Sequence, residues 1–256
     1  MNMLQVLIFG IVEGITEFLP ISSTGHLILT AKLLGVTQSE FIKSFQIAIQ
    51  LGAILSVVVI YWGRLTSGSK IWKRLLVAFM PTALIGFLLY KIIKKYLLGN
   101  NQVVLWSLFI GGIFLIIFEL FYRRKEEGVE EIPDISYRQA FTIGLFQSVA
   151  VIPGVSRAAA TIIGGLAAGL KRKTIVEFSF LLAVPTMLAA TVWDLFKSAQ
   201  LFKSEQFIFL GAGFVVSFAV AIIAIKFLLV FIKRHNFISF GVYRIIIALV
   251  FWFIVK

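Results

Sequence analysis

The chain has 256 residues, of which 60% are apolar and 14% charged, with a formal net charge of +12 and no cysteine. A soluble domain carries about 25% charged residues, so a water-facing surface cannot be assembled from this composition, and a soluble enzyme, a disordered chain and a disulfide scaffold are excluded. The composition predicts an all-α polytopic integral membrane protein. Its basic residues do not point to nucleic acid. The clusters Arg123-Arg124-Lys125, Lys171-Arg172-Lys173 and Lys233-Arg234 fall between apolar runs, where they orient spans and meet membrane lipid headgroups.

In chain order, the first apolar stretch covers about residues 4–36. Its start lacks a basic n-region and a small-residue cleavage site, so it is expected to stay in the mature protein. It breaks in the middle at Pro20-Ile-Ser-Ser-Thr-Gly-His26. Three spans long enough, or nearly so, to cross roughly 30 Å of hydrocarbon follow, at about 44–62, 75–92 and 103–122. A second broken stretch covers about 138–170 and is interrupted at Pro153-Gly-Val-Ser-Arg157; three further spans lie at about 178–196, 206–232 and 237–255. The half-segments of the broken stretches are too short to span alone, and irregular backbone at membrane depth is tolerated only inside protein or against a watery cavity. Both are therefore expected to be re-entrant helical hairpins.

The two broken stretches look like copies. Pro20 and Ser23 align with Pro153 and Ser156 at an offset of 133 residues, as do Phe45 with Phe178 and Leu51 with Val184. One residue of slippage aligns Gly10 and Glu13 with Gly144 and Gln147. Three intervening spans give the copies opposite orientation, an inverted repeat within one transmembrane domain over 1–256, with repeat units at 1–92 and 136–232. Broken helices meeting near the midplane are common in transporters. With this topology, loops 63–74, 123–137, 171–177 and 233–236 carry 12 Lys or Arg, against eight on the opposite side. The first side should be cytoplasmic.

Glu13 and Glu17 lie inside the first apolar segment. Their spacing stacks them on one helix face, and an unpaired carboxylate in hydrocarbon costs several kcal/mol, so both should face a polar cavity. Two close carboxylates suit a divalent cation or an acid/base pair; contact with headgroups is the plainer alternative. Ser22, Ser23 and Thr24 stand where a helix N-cap is needed, a sufficient role by itself. His26 nearby adds an imidazole able to activate a hydroxyl or shuttle a proton, unless it is simply hydrogen-bonded structure. Ser156-Arg157 follow Pro153-Gly154 in the same way. An arginine at such a tip needs an anion, either Glu13 or Glu17 or a phosphate held by a bidentate fork. Two half-helix N-termini add free N–H groups and positive dipole ends, and hydroxyl, imidazole and carboxylate beside an anion point to hydrolysis of a phosphate ester or anhydride. Lys226 and Arg244 lie near enough to span ends to snorkel. The Glu126–Glu131 run with Asp134 reads as a solvated loop, and Gly10 and Gly14, like Gly165 and Gly169, as small-residue packing sites.

Glu13-Gly-Ile-Thr-Glu17-Phe-Leu-Pro-Ile-Ser-Ser-Thr-Gly-His26 resembles the first signature of the undecaprenyl-diphosphate phosphatase, or bacitracin-resistance, family, and Pro153-Gly-Val-Ser-Arg157 resembles its second. The Ser136–Phe141 approach and the Glu177–Pro185 span agree too, so the likeness covers nearly the whole chain. The resemblance implies a bacterial inner-membrane enzyme that removes the terminal phosphate of a C55 polyprenyl diphosphate lipid, renewing the carrier for peptidoglycan synthesis and conferring bacitracin resistance. It places catalytic roles on Glu13, Glu17, Ser23, His26 and Arg157 and substrate contacts on Ser22, Thr24, Gly154 and Ser156. It also implies magnesium or calcium on Glu13 and Glu17, and a homodimer. The family's second signature continues Ser-Arg-Ser-Gly, whereas Ala158 and Ala159 follow Arg157 here, so the extra hydroxyl is either dispensable or replaced, with Thr161 the candidate for the second case. The other large class of membrane lipid phosphatases requires a histidine where this chain has Ile163. The alternative to an enzyme is a transporter or flippase of the lipid carrier, for which the inverted repeat speaks.

The topology opens the first hairpin, and with it the cavity, toward the outer face. In a chain without native cysteine, a cysteine at Gln38 should react with an impermeant thiol reagent on intact spheroplasts and one at Lys125 should not. The reverse labelling pattern would invert the orientation.

Overall fold

The computed structural model of the protein describes residues 1–37, 39–97, 100–122, 128–198 and 204–255. Gln38 and the Arg123–Glu127 stretch, with Lys125, lie outside the described residues. The helices in chain order are α1 (Met3–Thr16), α2 (Ser23–Leu33), α3 (Glu40–Ile60), α4 (Trp62–Thr66), α5 (Ser69–Leu88), α6 (Tyr90–Ile92), α7 (Asn101–Phe121), α8 (Tyr137–Ser148), α9 (Arg157–Ala167), α10 (Arg172–Ser198), α11 (Ser204–Arg234) and α12 (Ile238–Val255). Among the described residues there is no strand, only one isolated bridge between Val129 and Leu170. The protein is an all-α, multi-pass membrane protein. Four helical stretches, Phe41–Ile60, Ser69–Leu88, Asn101–Phe121 and Gln206–Arg234, are long and apolar enough to cross a bilayer.

All six expected spans are helical, but the second and fourth start earlier than the hydropathy predicts, the fourth at Arg172 and the second at Ser69. Its first turns carry Lys70, Lys73 and Arg74, which hydropathy reads as loop. Arg74 Nε donates to the Ile135 carbonyl at 2.6 Å, anchoring that polar end. Beyond Leu88 the chain turns through α6 and a five-residue π segment, Ile93–Leu97.

Both broken stretches are helical hairpins, and they match in detail at a constant offset of 134 residues. Asn2 with Gln5 and Ser136 with Gln139 form reciprocal capping boxes at the starts of α1 and α8. The same glutamines then reach across their hairpins, Gln5 to the Leu34 carbonyl at 3.2 Å and Gln139 to the Ala168 carbonyl at 3.0 Å. The α2 and α9 caps, Ser22 and Ser156, are the two non-glycine residues with positive φ among the described residues, at 72° and 77°. The register is therefore 134 at the tips as well, correcting the 133 read from Pro20 and Ser23. Ser156 corresponds to Ser22, and Arg157 corresponds to Ser23.

Small residues set the packing. α1 lies on α11, where a Cβ at Gly14 would come 2.8 Å from the Ser217 carbonyl oxygen. α8 lies on α5 in the corresponding way, with a Cβ at Gly144 placed 2.2 Å from the Ala78 carbonyl oxygen. With lipid as apolar as the helices themselves, such close backbone approach is what drives association. Gly165 packs against Ile175 as its spacing predicts, but a Cβ at Gly169 would meet nothing within 4 Å; its φ of +87° ends the turn after α9, which is why glycine is needed there.

At the predicted cytoplasmic end, Arg172 makes a bidentate pair with Glu119, which also accepts the Phe237 N–H at 3.3 Å. Arg64 pairs with Glu177 at 2.5 Å. Lys171 pairs with Glu130 in a solvated turn, holding that carboxyl below the usual carboxylate range. The Glu130 carboxylate thus lies in a solvated loop, as expected, and carries an ion pair there. Lys226 is exposed on α11, whereas Arg244 does not snorkel: it is fully buried.

The α3–α11 contact sets a further packing test. A Cβ at Gly52 would lie 2.3 Å from the Phe214 carbonyl oxygen, which is backbone and cannot rotate away. Gly52→Ala should destabilise the protein by about 1–3 kcal/mol, read as a lower unfolding midpoint in detergent.

Candidate active site

Glu17 ends α1, its N–H still bonded to the Glu13 carbonyl at 3.0 Å, so its side chain projects where the helix stops. The chain then turns through Pro20 and restarts at Ser22, whose Oγ accepts the Gly25 N–H at 3.4 Å. The second hairpin repeats this, Ser156 Oγ accepting from Ala159 N–H at 3.2 Å. These caps place Ser23 and Arg157 on the first residues of two half-helices. Both reach the same carboxylate. Ser23 Oγ donates to Glu17 Oε2 at 2.5 Å, and Arg157 Nη2 donates to Glu17 Oε1 at 3.1 Å across 140 residues of sequence.

Arg157 is held from behind as well. Its Nη1 donates to the Ser179 carbonyl at 2.9 Å, and its guanidinium lies 6.0 Å from the Phe18 ring centroid. Thr161, the candidate replacement for the missing family hydroxyl, is fully buried behind it. Its Oγ1 bonds the Arg157 carbonyl at 2.9 Å and Ser179 Oγ at 2.6 Å. That hydroxyl braces the arginine and does not face the cavity.

Between the hairpins lies a cavity of about 270 Å³. One wall carries Glu17, Ser22, Ser23, Thr24, Gly154, Ser156 and Arg157, seven of the nine residues singled out in the sequence. Thr24 is exposed toward it. The other wall, which sequence reasoning missed, carries Gln50 from α3, Thr82 from α5, Gln147 from α8 and Thr186 from α10. Gln147 Nε2 donates to Thr82 Oγ1 at 2.9 Å and to Thr186 Oγ1 at 3.4 Å. Its alignment with Glu13 was the one available signal.

Glu13 and His26 are not among the described lining residues. Glu13 is fully buried one turn before Glu17, and neither of its carboxylate oxygens has a hydrogen-bond partner. An orphaned carboxylate beside a second one fits a divalent cation in donor chemistry. No group of three His, Cys, Asp or Glu gathers among the described residues, so among them the two glutamates are the carboxylates available to such an ion here. His26 turns away from Ser23. Its Nδ1 lies 2.8 Å from the Ser22 carbonyl oxygen and its Nε2 2.8 Å from the Tyr243 hydroxyl, with the two rings stacked at 5.5 Å. A carbonyl only accepts, so Nδ1 carries the proton and Tyr243 donates to Nε2.

Fold and site together define a multi-pass helical membrane protein with a hydroxyl, a carboxylate and an arginine gathered in an anion-attracting cavity. The chain belongs to the family described as bacitracin resistance protein BacA, whose model matches residues 6–250. It is 55% identical to the undecaprenyl-diphosphatase of Aquifex aeolicus over 247 residues, 96% of either chain. It is 53% identical to that of Persephonella marina over 251 residues, 98% of either chain. To that of Wolinella succinogenes it is 50% identical over 253 residues, 99% of this chain and 98% of the relative.

The Glu17–Arg157 pair is nearly shielded, with side-chain exposures of 6% and 12%. Glu17→Leu should therefore cost about 3 kcal/mol or more, because it leaves a buried guanidinium without its anion. Arg157→Met added to it should restore part of that loss, and a double-mutant cycle on unfolding midpoints measures the coupling.

Proposed function

We propose that this protein is a membrane-embedded phosphatase that hydrolyses undecaprenyl diphosphate to undecaprenyl phosphate and inorganic phosphate. The observation that carries the reading is the Ser23–Glu17–Arg157 arrangement, with its 2.5 Å hydroxyl–carboxylate bond inside the cavity. The names of the full-length relatives supply the lipid. A hydroxyl already donating to a carboxylate is poised to lose its proton as it attacks phosphorus.

Ser23 Oγ attacks the terminal phosphorus while its proton passes to Glu17 Oε2. The bond from phosphorus to the bridging oxygen breaks, and the lipid leaves as its monophosphate. Glu17 gives that proton up to the departing monophosphate; water, deprotonated by the restored carboxylate, then cleaves phospho-Ser23, the proton returns to Ser23 Oγ, and inorganic phosphate is freed. Arg157 and the N-termini of α2 and α9 attract the phosphate and stabilise charge developing on its oxygens. With Nδ1 on the Ser22 carbonyl and Nε2 on Tyr243, His26 holds the turn that presents Ser23. That assigns it support of the nucleophile in place of proton transfer. Glu13 and Glu17 would hold a magnesium or calcium ion, which when bound neutralises charge on the diphosphate oxygens.

The carrier alternative is set aside, because nothing in an alternating-access cycle calls for a serine hydroxyl bonded to a carboxylate that an arginine also holds. The matched hairpin caps support reading 1–92 and 136–232 as inverted repeat units. The excess of basic residues at the opposite end supports a cavity reached from the outer face of the inner membrane.

Detergent-solubilised protein given C55 diphosphate should release inorganic phosphate. Arg157→Ala should lower kcat by about 10²–10³-fold, the loss typical of removing one oxyanion contact; unchanged turnover would remove that contact. Chelation should abolish activity, with magnesium or calcium restoring it in wild type and failing to do so in Glu13→Ala.

A further inference from the structure

Arg244 is the largest fully buried side chain among the described residues, and it does not line the cavity. A buried cation ordinarily takes a carboxylate partner, but no described ion pair includes this one; backbone carbonyls surround it instead. Nη1 donates to the carbonyls of Pro20 at 3.3 Å and Val155 at 2.8 Å. Nη2 donates to those of Ser107 at 2.9 Å and Gly154 at 3.1 Å, and Nε to that of Leu108 at 3.4 Å. Every N–H of the guanidinium has a carbonyl available, and the acceptors come from three separate parts of the chain.

Their positions give the arrangement its meaning. Pro20 stands two residues before Ser22, while Gly154 and Val155 immediately precede Ser156. One planar fork therefore ties together the two turns in which serine holds a positive φ, and fastens both to α7. The helices leave room for it. A Cβ at Gly111 would lie 2.2 Å from Arg244 Nη2 and 2.9 Å from its Cζ. A lysine has one nitrogen on a flexible stem and cannot span this set of carbonyls.

We infer that Arg244 is a positioning residue for the phosphoryl chemistry: it fixes the two hairpin tips against each other so that Ser23 and Arg157 meet at Glu17. This rests on reading the cavity as a phosphatase site. The buried Glu119–Arg172 pair offers a control, since it joins α7, α10 and the α11–α12 turn and touches neither tip.

Arg244→Lys, Gly111→Ala and Glu119→Gln are compared in detergent by unfolding midpoint, kcat, KM and inhibition by orthovanadate, a mimic of the phosphoryl transition state. Spin labels on Leu33→Cys and Val149→Cys, exposed positions on the two hairpins, report the spacing between them without any need for turnover. Arg244→Lys should stay folded, lose about 100-fold in kcat, as expected for an ångström-scale misplacement, keep KM near wild type, weaken vanadate inhibition and broaden the label distance distribution. Gly111→Ala should do the same by pushing the guanidinium aside. Glu119→Gln should lower the midpoint while kcat and the label distances stay near wild type. The inference is overturned if folded Arg244→Lys turns over like wild type with unchanged label distances, or if Glu119→Gln reproduces its kcat loss at equal loss of stability. If wild type itself releases no phosphate, the phosphatase reading fails, and the label distances still decide whether Arg244 sets the tips.

Discussion

A carboxylate held away from water must find donors for its oxygens, and Glu17 finds them on two different hairpins. Ser23 occupies one oxygen and Arg157 the other. The site consequently has no local version: neither hairpin alone contains a satisfied carboxylate, a presented hydroxyl and a positioned guanidinium. It forms when α1 docks on α11 and α8 on α5, and those contacts are close because Gly14 and Gly144 let backbones touch. Packing of small residues one turn from the cavity wall is thus a precondition of the chemistry.

The broken helices are the means by which polar groups reach the protein interior at membrane depth. Each break frees N–H groups at a helix start, and each is held by a serine with positive φ, a conformation that costs on the order of 1–3 kcal/mol. The surrounding structure over-determines both turns. The side chains of Ser22 and Ser156 cap the helices they begin. Glutamines from α1 and α8 bind the far ends of α2 and α9, while Arg244 holds the carbonyls on the approach to each cap. Strain at the tips is what lets two half-helices point their N-termini at one cavity.

Much of this was legible in the chain itself. Apolar run length gave the six long helices, and proline followed by serine gave the two breaks, because both signals are local properties of backbone and solvent. Residue chemistry also marked Glu17, Ser23 and Arg157, since charge and hydroxyl inside an apolar segment require a reason. The partnerships were not legible. Ser23 stands close to both His26 and Glu17 in sequence, and only the turn geometry directs its hydroxyl to the carboxylate and the imidazole to Ser22 and Tyr243.

The sequence by itself determined a helical membrane protein with two interrupted hairpins and a set of residues suited to phosphate. Tertiary structure alone decided the register of the hairpins, the second cavity wall from four separate helices, and the inward course of Arg244. The reason lies in the solvent. In water, a helix declares its buried face by the periodicity of its apolar residues, but in lipid both faces are apolar. Which side of a span looks inward is then set by the neighbour it packs against, and a single arginine near a helix end snorkels or turns inward according to whether glycines such as Gly111 have left it a place.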